Sequence, residues 1–419
     1  MRVLYAVQRY GTSIVGGAEA AARSFAEHLV ARGHDVEVIT SCAHSYVDWA
    51  NVHPSGTTTL NGVTVHRLPV DDVRTPERFG PIHGWMIGGP RPAPLFAQWE
   101  WMKRMGPDLV GLSAWVSEHA PRFDAAVFMT YLYSTTAYGL PAAANRVPTV
   151  LQPTAHDEPP IWLRLFDGIF RQPDAFLFFT PEEREFVRQR FGIEAIGDTP
   201  GIGIDVEPSG DVAAFRARFC LADRPYLVYV GRIDAIKGSR ELFHFFESYQ
   251  ARNHSEARLV FVGERFGELP DHDDIVFTGF LGEEEKRTAL AGSLALIQPS
   301  RFESFSIVLC EAWAQGRPAL VHRDSHVLVG QARRSGGAIP YRGYAEFEAA
   351  LDLLLAEPAL GDRMGAAGAA YVAREYSWDH VMARMEDVLH LAVSRFRDRP
   401  LRRHPATSDG AATPLPSRP

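Results

Sequence analysis

The sequence is short of several things, and each shortage removes a class of protein. Cysteine occurs three times in 419 residues, at Cys42, Cys220 and Cys310. These lie far apart without metal-ligand spacing, so neither a disulfide framework nor a Cys-held metal is expected. No apolar run approaches the roughly 20 residues of a membrane span, and no apolar leader with a small-residue cleavage site precedes the first strand-like segment. These features predict a cytoplasmic protein whose thiols are reduced and mostly buried. Positive charge is not in excess: the formal net charge is −8, which argues against nucleic acid as a partner, since polyphosphate needs a basic face. A dinucleotide fingerprint is missing too. Gly11, Gly16 and Gly17 do not form Gly-x-Gly-x-x-Gly after a strand, so hydride transfer is demoted.

What is present reads as two α/β units. The chain is too long for one ordinary core, and apolar segments of strand length alternate with helical periodicity. Residues 3–7 read as a strand, 18–31 as a helix closed by Gly33, and 36–39 as a second strand, which together make a βαβ unit with parallel strands. Strands at 63–68, 125–129, 149–151 and 175–179, with helices at 134–144 and 181–191, extend a doubly wound sheet. Between them, residues 80–119 carry Trp85, Trp99, Trp101 and Trp115. Two readings stay open here: helices at 94–104 and 108–119 that pack their aromatic residues on the sheet, or an insert lining an acceptor cleft. The pattern restarts after 201–205, with helices at 211–219 and 237–252 and strands at 226–230, 258–262 and 275–278. A helix at 283–291, a strand at 294–297 and helices at 345–357, 358–375 and 378–394 complete it. From Arg395 the chain turns arginine-rich and then Pro/Ser/Ala-rich. That composition predicts a disordered tail, suited either to plain solvation or to weak contact with anionic lipid.

Polar stations fall where strands end. Gly16 and Gly17 open the first helix, where backbone amides approach a ligand closely. His156 follows the strand at 149–151; a lone histidine is by itself more often structural than catalytic. Arg232 and Lys237 flank a strand end and a helix start, which suits either a diphosphate or a solvated pair. The segment 299–318 joins a buried strand to a short apolar helix, whose first-turn amides near Ser304 to Ile307 can cradle an anion. Glu311 sits in that helix among apolar neighbours, either on a narrow solvent stripe or buried and in need of a partner.

Taken together, the Gly-Gly-Ala-Glu loop at 16–19, His156, the Gly-Arg-x-x-x-x-Lys-Gly segment at 231–238, the Glu-x7-Glu pair Glu303 and Glu311, and Tyr376-Ser377-Trp378-Asp379 closely resemble the retaining glycosyltransferases commonly called family 4. The resemblance runs to about residue 394 and spares the Trp-rich insert. It implies an α/β GT-B fold of two Rossmann-like domains facing a cleft: residues 1–200 on the acceptor side, 201–376 binding a nucleotide sugar, 377–394 crossing back, and 395–419 as tail. It implies that Arg232 and Lys237 stabilise a diphosphate leaving group, Glu303 and His156 hold the donor sugar, and Glu311 accepts from ribose hydroxyls. Gly16, Gly17, Phe305, Ser306 and Ile307 then offer amides to phosphate and sugar, and Gly263, Phe280 and Leu281 lie toward the base. The partners implied are a nucleoside diphosphate sugar as co-substrate and an acceptor alcohol, with no metal and no further cofactor. Alternatives on the same fold are a binder without turnover, a phosphorylase and an epimerase. Two departures stand out: serine at 306, where the family often has glycine, and the bulky, charged residues 321–326 in place of a small-residue loop.

Overall fold

The computed structural model describes residues 1–14, 16–89, 92–234, 236–267 and 269–399. Two sheets organise them. The first contains β1 (Arg2–Ala6), β2 (Asp35–Ser41), β3 (Gly56–Leu60), β4 (Val63–Leu68), β5 (Ala125–Met129), β6 (Thr149–Gln152), β7 (Ala175–Leu177) and β8 (Gly197–Asp198). Its order is β3-β4-β2-β1-β5-β6-β7-β8, parallel throughout except where β3 returns antiparallel beside β4. The second contains β9 (Tyr226–Val230), β10 (Arg258–Val262), β11 (Ile275–Gly279), β12 (Ala295–Gln298), β13 (Ala319–His322) and β14 (Ala338–Tyr341). Its order is β11-β10-β9-β12-β13-β14, and every pairing is parallel. Strands such as Val3–Ala6 and Leu227–Tyr229 are buried on both faces, as a sheet covered by helices on both sides requires. This is the expected GT-B architecture.

The chain crosses between the sheets at 201–205 and again at 376–378, and the two crossings pack on each other. Ile204 N donates to the Tyr376 carbonyl at 2.8 Å, and Trp378 Nε1 donates to Asp205 Oδ1 at 2.9 Å. Trp378 also stacks on His28 of the first helix, with ring centroids 3.9 Å apart. The helix Trp378–Arg397 then lies against β6, β7 and β8. Arg384 bonds both oxygens of Asp198, and Glu386 receives Arg32 Nε at 2.8 Å and His34 Nε2 at 2.9 Å. A single apolar core therefore runs from Val3 and Phe25 through Ile202, Phe305 and Tyr376 to Val228 and Leu309.

Several expectations change. The helix expected to end at 394 continues to Arg397, and the arginines assigned to a free tail begin by holding the first sheet. Arg395 Nε donates to the Asp174 carbonyl at 2.7 Å, and Arg399 Nε meets the fully buried Asp174 carboxylate at 2.7 Å. For residues 395–399 the expected disorder is thereby overturned, because a buried carboxylate and backbone carbonyls give these guanidinium groups partners. Residues 400–419, with Arg402 and Arg403, lie outside the described residues. The Trp-rich segment forms three helices, Pro76–Gly88, Leu95–Met105 and Leu112–His119. Trp101 is fully buried in the core beneath β5 and β6, which favours the packing reading for it. Charged residues 321–326 are partly strand and partly a turn into the helix His326–Ser335, not one loop. Among the described residues no helix is long and apolar enough to cross a membrane.

The crossing depends on close approach. A Cβ on Gly203 would lie 2.1 Å from the Trp378 ring, so Gly203→Ala must push that ring off His28. A loss of roughly 1–3 kcal/mol is expected from such overpacking, seen as a lower denaturant midpoint; an unchanged midpoint would show that the crossing is loosely packed.

Candidate active site

A cavity of about 350 Å³ lies between the carboxyl ends of the two sheets. From the first sheet it takes Gly17 and Ala18 at the first helix start, Thr154 and His156 beyond β6, and Phe179 beyond β7. From the second it takes Tyr229 to Arg232 at the end of β9 with Lys237 beyond it, and Gln298 at the end of β12 with Phe302 to Val308 beyond it. Parallel strands all stop at one edge, so loops from distant parts of the sequence meet there.

The β9 side is built by a turn only glycine fits. Gly238 caps the helix Ser239–Asn253 in left-handed conformation, φ 77°, and a Cβ on it would stand 2.7 Å from the Pro299 carbonyl oxygen. The preceding Lys237 is thereby laid over the loop beyond β12, where its Nζ meets Glu303 Oε1 at 2.8 Å. Arg232 forms a short ion pair with Asp234, and Asp234 also accepts from the Lys237 amide at 2.8 Å. Both cations are half-exposed and carry carboxylate partners, an arrangement in which a more highly charged anion competes for them. Across the cleft, Arg232 faces the Tyr46 ring at 5.5 Å while Arg9 faces it at 5.0 Å. Arg9 is itself paired with the buried Glu19 at 2.6 Å.

The β12 side supplies backbone. The helix Ile307–Ala314 begins at Ser306, which takes φ 71°, a left-handed conformation that costs a non-glycine residue. The serine is held there by Gln298 Nε2, which donates to its Oγ at 3.0 Å, while Gln331 bonds the Phe305 carbonyl. First-turn amides of such a helix have no carbonyl of their own helix to bond, and Ser306, Ile307 and Val308 all line the cavity.

The structure thus brings together Arg232, Lys237, Glu303, His156, Gly17, Phe305, Ser306 and Ile307. It does not place Gly16, Glu311, Gly263, Phe280 or Leu281 in that cavity wall. Glu311 is neither on a solvent stripe nor unpaired: Lys286 Nζ lies 2.8 Å from its Oε1 and 2.7 Å from Glu283. Burial pushes the Glu311 carboxyl up, and Lys286 opposes that shift. The Gly263 amide already donates to the Gly279 carbonyl at 2.9 Å. Leu281 is a core side chain and Phe280 is exposed.

Residues that the sequence did not single out complete the site. Glu183, fully buried, accepts the Ala155 amide on one oxygen and the Phe179 amide on the other, each at 2.7 Å, and so ties the loops beyond β6 and β7 together. Thr180, the cap of the same helix, donates to the Ser304 carbonyl across the cleft at 3.2 Å. The signal for both was the Thr180-Pro181-Glu182-Glu183 capping pattern.

Comparison with known proteins points to one family and one fold. The family described as "Glycosyl transferase 4-like domain" matches residues 16–196, and that described as "Glycosyl transferases group 1" matches residues 224–357. Alpha-D-kanosaminyltransferase of Streptomyces kanamyceticus is 26% identical over 64% of this chain and 74% of its own. Glycogen synthase of Mycobacterium tuberculosis is 25% identical over 97% of this chain and 98% of its own. Among solved structures, Anabaena HepE in complex with UDP and glucose superposes with a TM-score of 0.67 at 13% identity, covering 93% of this chain and 99% of that one.

Glu183 gives the site a pH signature. Burial pushes its carboxyl from about 4.5 up to about 8, against the backbone amides that favour the ionised form. The folded state then holds the proton more tightly than the unfolded chain, so this group makes stability fall as pH rises between those two values. Glu183→Gln removes that slope. Denaturation at about pH 5 and about pH 8.5 is expected to show the variant's destabilisation relative to wild type shrinking as pH rises; a gap that stays constant or widens would contradict the shift.

Proposed function

Because the chain belongs to the family 4-type glycosyltransferases of GT-B fold, we propose that it moves a hexose from a nucleoside diphosphate sugar to an acceptor hydroxyl with retention of anomeric configuration. The observation that carries this reading is the pair of cations, Arg232 and Lys237, held beside the first turn of helix Ile307–Ala314 in the cleft wall. The donor diphosphate would displace Asp234 and Glu303 from these cations and lie against the amides of Ser306 and Ile307. Glu303, released from Lys237, and His156 would then hold sugar hydroxyls from opposite walls. Glu311 would accept from the ribose only beside Lys286, which already bonds it. That HepE is described in complex with UDP and glucose supports a nucleotide donor.

In the reaction, the bond from the anomeric carbon to the diphosphate oxygen breaks. A bond to the acceptor oxygen forms on the same face, and the acceptor proton passes to the departing diphosphate oxygen. Arg232 and Lys237 stabilise the negative charge that grows there, the task a metal ion performs in other transferases. No protein nucleophile is needed, in contrast to two-carboxylate glycosidases. We place the reaction in the cytoplasm, in polysaccharide, glycolipid or secondary-metabolite assembly.

A panel of nucleoside diphosphates and their sugars, followed by transfer assays, tests the proposal. The true donor at a hundred times its dissociation constant is expected to stabilise the protein by about 2.7 kcal/mol. Lys237→Ala is expected to lower kcat by roughly 10²–10³. Tight donor binding with no turnover on any acceptor would instead identify a sugar-nucleotide binder.

A further inference from the structure

The loop that carries His156 also carries Glu158, whose carboxylate turns back toward the imidazole. The chain leaves β6 at Gln152 and turns, with Thr154 at φ 53°, and is pinned before His156 by the Ala155 amide on Glu183. It is pinned after His156 by the Glu158 amide, which donates to the His156 carbonyl at 2.8 Å. The Glu158 side chain then folds back. Its Oε1 accepts from the buried Tyr131 hydroxyl at 2.6 Å, and the same oxygen lies 3.5 Å from His156 Nδ1. That nitrogen is buried and makes no hydrogen bond among the described residues.

We propose that Glu158 is a positioning residue for His156: its carboxylate, fixed by Tyr131, takes the imidazole Nδ1–H and so presents Nε2 to the donor sugar in the cleft. The proposal rests on the glycosyltransferase reading above. Tyr131 is packed edge-on against Phe166, with centroids 4.8 Å apart, and burial together with Glu158 raises its hydroxyl well above the ordinary tyrosine range. Tyr131 therefore donates to Glu158 Oε1 and holds that oxygen beside the imidazole. The gap of 3.5 Å is longer than a good hydrogen bond, and it closes by a small rotation of the ring when a sugar hydroxyl engages Nε2. A carboxylate behind a histidine sets which ring nitrogen carries the proton. No bond is made or broken at Glu158 itself.

The test is a double-mutant cycle on the transfer reaction, read beside the ¹⁵N spectrum of the histidine ring. Glu158→Ala is expected to lower kcat by about tenfold to a hundredfold, with donor KM little changed, and Glu158→Gln, which keeps the Tyr131 bond, to lose less. In a His156→Ala background, Glu158→Ala is expected to cost nothing more, because its effect passes through the ring. In wild type the His156 spectrum is expected to show the Nδ1-protonated tautomer, and in Glu158→Ala a mixture. Wild-type transfer together with losses that multiply in the double variant, or an Nε2-protonated ring in wild type, would overturn the role of Glu158 alone. If wild type transfers no sugar to any acceptor, the functional reading fails and this inference falls with it. Should Glu158→Ala not fold, the Gln variant and the wild-type tautomer still decide the matter.

Discussion

In a parallel sheet every strand stops at the same edge, and this constraint governs the whole molecule. Loops that leave β1, β6, β7, β9 and β12 are far apart in sequence, yet each is delivered to one side of its sheet. Turning two such edges toward each other then makes a cleft from these few short loop segments. The double crossing at Gly201 to Asp205 and Tyr376 to Trp378 performs that turn, and the core that continues through Ile202, Phe305 and Tyr376 fixes the angle between the sheets. Because Phe305 belongs both to this core and to the cavity wall, the loop beyond β12 is anchored in the same packing that joins the halves.

The electrostatics of the cleft follow from that geometry. Two cations brought to a strand end cannot be left without counter-charge in a half-buried site. Asp234 and Glu303 supply it through side-chain pairs, and both cations keep access to the cavity. The amides at Ser306 and Ile307 add positive potential without a desolvation cost of their own. Glu19 and Arg9, by contrast, form a buried pair behind the cleft. Such a pair is costly to break, and it reads as a fixed support for Tyr46 and the start of the first helix, not as an exchangeable contact.

Much of this was legible in the sequence, and what was not has physical causes. Apolar strands such as β1, β5 and β9 and the helix Gly17–Ala31 declare themselves by burial pattern, and the Arg232, Lys237 and Glu303 stations declare themselves by falling at strand ends. β3 escaped because its sequence, Gly-Thr-Thr-Thr-Leu, is almost wholly exposed and carries no apolar alternation. The helix Pro76–Gly88 escaped because Pro81 stands inside it, and β14 because it contains Pro340. That Glu311 needs a partner was legible from its apolar helix, but which one was not: Lys286 sits in a separate helix, and no sequence period links the two. Glu158 was invisible for the same reason, since Tyr131 becomes its partner only after the chain has folded, whereas Glu183 carried a capping signal but not its bond to the Ala155 amide. Arg395 and Arg399 looked like solvated charges until β7 brought Asp174 beneath them.

The central claim is that Arg232 and Lys237 exchange Asp234 and Glu303 for the diphosphate of a donor. A crystal structure with the tightest-binding nucleoside diphosphate tests it most directly. Both cationic side chains are expected within roughly 2.7–3.2 Å of diphosphate oxygens, with the Lys237–Glu303 pair opened and the phosphate against the amides of Ser306 and Ile307. A nucleotide bound elsewhere, or bound in the cleft with both ion pairs intact, would contradict it.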